Sequence, residues 1–178
     1  LGVYLKSFFY QEFSIYAVTS GFLVFIQVLI NNKYMGYFVS VLYIILEGVL
    51  WLALDFNSNL LSLGATPLMQ YSDMNGFGPA VEAVSWFNFY WLVLGVLLLM
   101  IAGLFIKRGM TSGRKERWHV ASKNLTRSYA TRMAVVAVSW LGPLSFIFYN
   151  IHVLNKVPSS DAHEEAAANY EKKFKKYE

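Results

Sequence analysis

Long apolar runs broken by short polar connections dominate this chain. Four stretches carry almost no charge: about Phe13–Ile30, Tyr37–Leu54, Trp86–Ile106 and Met133–Val153. Each falls in the roughly 17–25 residue range of a helix that crosses a hydrocarbon layer. The runs are continuous and do not alternate apolar with polar residues, so they predict helices and not strands. The expected fold is therefore all-α. It is a polytopic integral membrane protein with about four transmembrane helices, an outer re-entrant or capping loop and a basic cytoplasmic amphipathic segment. Residues 1–154 form the transmembrane domain. Residues 155–178 read as a linker and a solvated helix that leads towards a further soluble domain.

The connections set the orientation. Asn31–Gly36 is short enough to force a tight helical hairpin. Asp55–Ser85 holds no Lys or Arg but has Asp55, Asp73 and Glu82. Lys107–Arg132 holds eight Lys and Arg residues against one acid, Glu116. Basic loops stay cytoplasmic, so the acidic connection and both chain ends are expected outside. Trp51, Trp86, Tyr90 and Trp91 lie near the expected outer boundary, where they would serve either as an aromatic belt or as packing between helices.

Composition agrees and narrows the chemistry. Of the 178 residues, 56% are hydrophobic, and the net charge is a modest +4. With no cysteine, disulfides and thiolate metal sites are excluded. The three histidines, His119, His152 and His163, are scattered and make no helical pair. His163-Glu-Glu-Ala-Ala167 begins like the zinc-peptidase motif but lacks its second histidine. No catalytic residue, cofactor or metal site is expected within the chain, and no nucleic-acid partner.

Three groups of residues remain as candidates. The first is an intramembrane polar stripe. Glu47 is a carboxylate in mid-span, which costs a few kcal/mol and so should face a bundle interior or a cavity. Ser40, Tyr43, Glu47, Trp51 and Asp55 share one helical face, and Gln27 on the first span is a candidate partner for Glu47. The stripe serves either a proton or substrate path or interhelical hydrogen bonding. The second group is an outer cap, with Tyr71, Asp73, Asn75 and Gly76 at its centre. Asp73-Met-Asn-Gly76 opens like a calcium loop, but the remaining ligands are missing. Asx-type bonds, tight turns at Gly76 and Gly78, and a helix start at Pro79 account for it better.

The third group is basic. Trp118, Ala121, Leu125 and Tyr129 recur at helical spacing among cations, which predicts one amphipathic helix running towards the fourth span. Arg114, Arg117, Trp118 and Lys123 would meet either the anionic inner leaflet or a cytoplasmic partner. In the tail, Tyr170, Phe174 and Tyr177 make an aromatic stripe. Gly95, Ala102 and Gly103 give the third span a small-residue face, and Pro143 is expected to kink the fourth.

Several of these stretches carry a resemblance. Pro67-Leu-Met-Gln-Tyr-Ser-Asp-Met-Asn-Gly-Phe-Gly-Pro79 and Trp86-Phe-Asn-Phe-Tyr-Trp91 resemble bacterial membrane proteins that join an ABC-type exporter permease to an aminopeptidase-N-type zinc peptidase. Asn31-Asn-Lys-Tyr-Met-Gly-Tyr37, the Arg108-Gly109 exit and the tail Tyr170-Glu-Lys-Lys-Phe-Lys-Lys-Tyr177 fit the same pattern. The resemblance is strongest over residues 31–108. It implies the C-terminal part of the membrane domain of such a fusion, in the bacterial inner membrane. A separate ATPase subunit, further transmembrane helices and the lipid bilayer would be its partners. The peptidase would lie beyond Glu178 on the outer side. The rival reading is a structural or anchoring subunit with no transport path.

Overall fold

The computed structural model describes residues 1–30, 32–54, 59–78, 80–106, 113–154 and 160–175, with side chains described outside 50–54, 114 and 160–166. Every regular element among them is helical. The chain opens with α1 (Gly2–Ser7), a π-turn (Phe8–Glu12) and α2 (Phe13–Ile30), which form one continuous helix. Then come α3 (Lys33–Leu54), α4 (Ala80–Phe105), α5 (Arg114–Asn124) and α6 (Arg127–Tyr149). A second π-turn (Asn150–Leu154) extends α6, and α7 (Ser160–Phe174) follows.

Three continuous helices, Gly2–Ile30, Ala80–Phe105 and Arg127–Leu154, are long and apolar enough to cross a membrane, which is compatible with a membrane protein. α3 also forms, over 22 residues, where the second apolar run predicts a helix. The first and fourth apolar runs underestimate their helices. The first gains eleven residues at its start because Lys6 and Glu12 break the hydropathy but not the helix. The last begins six residues before Met133, because Thr126 accepts a hydrogen bond from the Tyr129 amide and caps it there.

The long helices stand in a row, α3–α2–α4–α6, with α2 packed on α3 and α4, and α4 packed on α2 and α6. The α2–α4 contact is close because small residues line it. Gly21 approaches the Gly95 carbonyl and Leu99, while Gly95 approaches the Val18 backbone. Such close backbone approach is how helices associate where no hydrophobic driving force separates them from lipid. Gly95 and Ala102 are both buried, as the predicted small-residue face requires. Aromatic rings join α4 to α6: Tyr90 stacks on Trp140 at 5.7 Å and Trp86 meets Phe146 at 4.6 Å. Pro143 sits inside α6 and is buried.

Two features of the hairpin between α2 and α3 follow from its residues. Asn32 accepts hydrogen bonds from the Tyr34 and Met35 amides through Oδ1, so it caps α3 at once. Gly36 then lets α3 pass directly beside the Gln27 carboxamide, which a Cβ would overlap.

Replacing Gly95 with leucine should separate α2 from α4 and cost about 1–3 kcal/mol, as overpacking does. Gly48, with nothing near its missing Cβ, is the control. Thermal unfolding in detergent should show a drop for Gly95→Leu and none for Gly48→Leu.

Candidate functional site

Between α3 and α4 the chain does not form a free surface loop. Residues 59–70 are packed against the helices, and four side chains from three of them bind its backbone. Glu47 on α3 accepts from Ser62 Oγ at 3.2 Å and from the Leu63 amide at 3.1 Å. Tyr43, one turn earlier on the same face, lies beside the same carboxylate. On α4, the Tyr90 hydroxyl donates to the Leu60 carbonyl at 3.4 Å and Trp91 Nε1 to the Ala65 carbonyl at 2.8 Å. Leu60 is buried with Val18, Phe87, Tyr90, Trp91 and Ile147 in one apolar cluster.

The fourth clamp comes from the π-turn. Gln11 Nε2 donates to the Met69 carbonyl at 2.7 Å, and Ser7 Oγ donates to Gln11 Oε1 at 3.1 Å, which fixes the amide's orientation. The Tyr10 carbonyl on the same turn accepts from Asn88 Nδ2 of α4 at 2.8 Å. A π-turn disturbs the regular ladder and re-aims the groups on it. Here it aims one side chain at the loop and one carbonyl at α4.

Gly64 brings the segment's backbone directly against α2. Its φ is +76°, and a Cβ there would stand 2.8 Å from the Ile15 Cα. Glycine is required on both counts: the left-handed backbone and the absence of room. Ile15, Glu47 and Trp91 each lie fourteen or fifteen residues from the end of their helix nearest α5. At 1.5 Å per residue that is about 21–22 Å for all three. The loop therefore meets three helices at one level, well below the far end of α4.

After the packed segment, the chain rises into a small hairpin. Ser72 pairs with Gly76 through its amide, Gly78 donates to the Asn75 carbonyl, and the Met74 amide donates to Ser72 Oγ. Gly76 and Gly78 both have positive φ, 59° and 55°. The two predicted glycine turns are thus present, but the bonds that close the hairpin come from Ser72 and the backbone. Asp73 and Asn75 are exposed at its tip. Tyr71 packs edge-on against Phe77 at 5.2 Å. No group of three or more His, Cys, Asp or Glu residues could hold a metal ion among the described residues.

At the opposite end, α5 ties helix termini together. The Arg117 guanidinium donates to the Val28 and Leu29 carbonyls, which are among the unpaired acceptors at the C-terminus of α2. The same group lies 5.7 Å from the Phe105 ring, and Trp118 meets that ring edge-on at 5.5 Å. Asn124 Nδ2 donates to the Leu104 carbonyl at 2.9 Å, which does for α4 what Arg117 does for α2. Tyr129 reaches the Met100 carbonyl at 2.7 Å.

The single amphipathic helix expected over this region is two helices. Leu125 leaves the helical conformation and Thr126 starts α6. The break lets Trp118 meet Phe105 and Tyr129 reach Met100, both on α4, from two directions. A straight helix could not place them so. Among the predicted site residues, Tyr43 and Glu47 are brought together, whereas Gln27 lies against Gly36, eleven residues before Glu47 on α3. Arg117 is half-buried against the helix ends, while Trp118 and Lys123 remain exposed. The side chains of Arg114 and Trp51, and all of Pro79, Asp55 and Tyr177, lie outside the described residues. Of the belt candidates, Tyr90 and Trp91 are buried packing residues.

Sequence reading missed Gln11, Asn88 and Gly64. For Asn88 the available signal was a polar amide within an apolar run. No known protein family, characterised protein or solved structure matches this chain.

Gly64→Ala should cost about 2 kcal/mol or more, because strain at φ adds to overlap with Ile15. Gly76→Ala, strained but in open space, should cost about 1–2 kcal/mol. Unfolding in detergent ranks the two. Arg117→Met keeps the apolar stem but removes the donors to Val28 and Leu29, and should lose about 1.5–3 kcal/mol by the same measurement.

Proposed function

We propose that this chain is the membrane-spanning portion of an ABC-type exporter permease joined to a zinc aminopeptidase, and that it works with a separate ATPase. The observation that carries the reading is the grip of α5 on two helix ends. A short basic helix bonded to α2 through Arg117 and to α4 through Asn124 cannot shift without moving both. Its exposed Lys115 and Lys123, with the exposed part of the Trp118 ring, offer a contact surface. Force applied there by an ATPase would pass along α2 and α4 to the loop that Glu47, Gln11 and Trp91 hold.

In this reading α3 is a fourth span, the α5 end faces the cytoplasm of a bacterial cell, and the hairpin is an outer cap. Residues 59–70 then form a re-entrant segment. Non-helical backbone is tolerated at that depth only where protein satisfies it, and the four side-chain clamps do so. The tail helix α7, with Tyr170 and Phe174 exposed, would lead to the peptidase.

One observation favours the rival, a structural anchor without a transport path. Glu47 is engaged with Ser62 and Leu63 and is not free to line a route. The two readings part on that residue. In an exporter, Glu47→Gln alters flux or ATPase coupling while the protein still assembles; in an anchor, Glu47→Gln either has no effect or prevents assembly. The exporter reading also requires that an ATPase copurify with the protein and that charge reversal at Lys115 and Lys123 release it. Retention of the ATPase by that double variant, or a parent gene with no downstream zinc-peptidase domain, would count against it.

A further inference from the structure

An open groove of about 540 Å³ separates α1 from the hairpin. Lys6 and Tyr10 line one side, Tyr71 and Phe77 the other, with Val3 and Val81 completing apolar walls. We propose that this groove binds the phosphate of an anionic phospholipid headgroup, with the Lys6 ammonium on the uncompensated phosphate charge and the Tyr10 and Tyr71 hydroxyls as donors to its oxygens.

Depth is the first argument. The α5 end of the row, where Lys33 and Arg117 stand, marks one edge of any hydrocarbon layer these helices cross. Tyr10 is twenty residues from Ile30, and Val81 is twenty-four from Phe105. At 1.5 Å per residue these lie about 30 and 36 Å from that edge. A hydrocarbon core is roughly 30 Å thick, with headgroups just beyond it. The groove therefore opens at the level of the phosphates of the opposite leaflet.

Chemistry is the second. Lys6 makes no ion pair among the described residues, so its charge is available. Phenol hydroxyls and an ammonium are donors suited to phosphate oxygens, and they differ from the apolar walls in facing only part of the site. The Tyr71–Phe77 ring pair and the two glycine turns beside it shape the hairpin wall. Val3, Phe77 and Val81 offer contact to the glycerol and the first methylenes of the chains. The proposal needs the long helices to cross a bilayer. It does not need the exporter reading.

The absence of cysteine makes a local test direct. Met74, fully exposed at the hairpin tip, takes a single fluorophore as Met74→Cys. The intact protein is placed in zwitterionic nanodiscs and titrated with headgroup-spin-labelled phosphatidylglycerol. Quenching should saturate at a low fraction of the anionic lipid, and unlabelled phosphatidylglycerol should compete where phosphatidylcholine does not. Lys6→Gln should raise the half-saturating fraction about fivefold, the factor expected of one lysine at a membrane surface. Tyr71→Phe, which keeps the ring contact, should raise it by a smaller factor. Competition by soluble glycerol phosphate would assign the site to free phosphate esters; no competition would assign it to the lipid. Equal quenching by both lipids, or a Lys6→Gln curve that overlies the parent, overturns the proposal.

Discussion

The structure depends on one requirement: a non-helical backbone packed among apolar helices must have its polar groups satisfied. A buried amide or carbonyl left unpaired costs about as much as a lost hydrogen bond, and in hydrocarbon several kcal/mol. In residues 59–70 borrowed side chains meet four such backbone groups. Glu47 serves one amide and one hydroxyl, while Tyr90, Trp91 and Gln11 serve three carbonyls. Much else follows. The π-turn places Gln11, Gly64 lets the segment touch α2, and the cluster around Leu60 closes the space between α4 and α6.

The same logic operates at the other end of the row. Helix C-termini carry carbonyls with no partner inside the helix. Arg117 and Asn124 supply donors to α2 and α4, and Asn32 does the complementary service for the amides of α3. The row of four helices is thus fastened at both ends by polar side chains and in the middle by small residues. Its faces away from these contacts remain apolar and exposed, with Phe38, Ile45 and Val49 on α3 and Val135 and Val138 on α6 as examples.

The helices were legible in the sequence because apolar length is a property of single segments. The glycine turns at Gly76 and Gly78 were legible for a similar reason: positive φ is a local demand. The role of Glu47 was half legible. A charge in mid-span calls for a partner, but that partner is a backbone amide at position 63, and backbone groups leave no mark on a sequence. The break at Leu125 was hidden because Trp118, Ala121, Leu125 and Tyr129 keep helical spacing across it. Spacing cannot reveal that a capping threonine starts a new helix between them. Gln27 was assigned across the wrong distance. It lies three residues before the end of α2, level with Gly36 three residues into α3, whereas Glu47 lies fourteen residues in.

The clamp on the loop also has a consequence for the order of synthesis. Ser62 lies fifteen residues after Glu47, and Leu63 sixteen. A ribosome making this chain delivers the carboxylate before any group that will hold it. Between those moments α3 carries Glu47 with Tyr43 one turn away. The α2–α3 hairpin, already capped by Asn32 and packed through Gly36, is in place before the loop arrives. Synthesis of the loop ends that interval, and the carboxylate becomes the point on which the next segment lands.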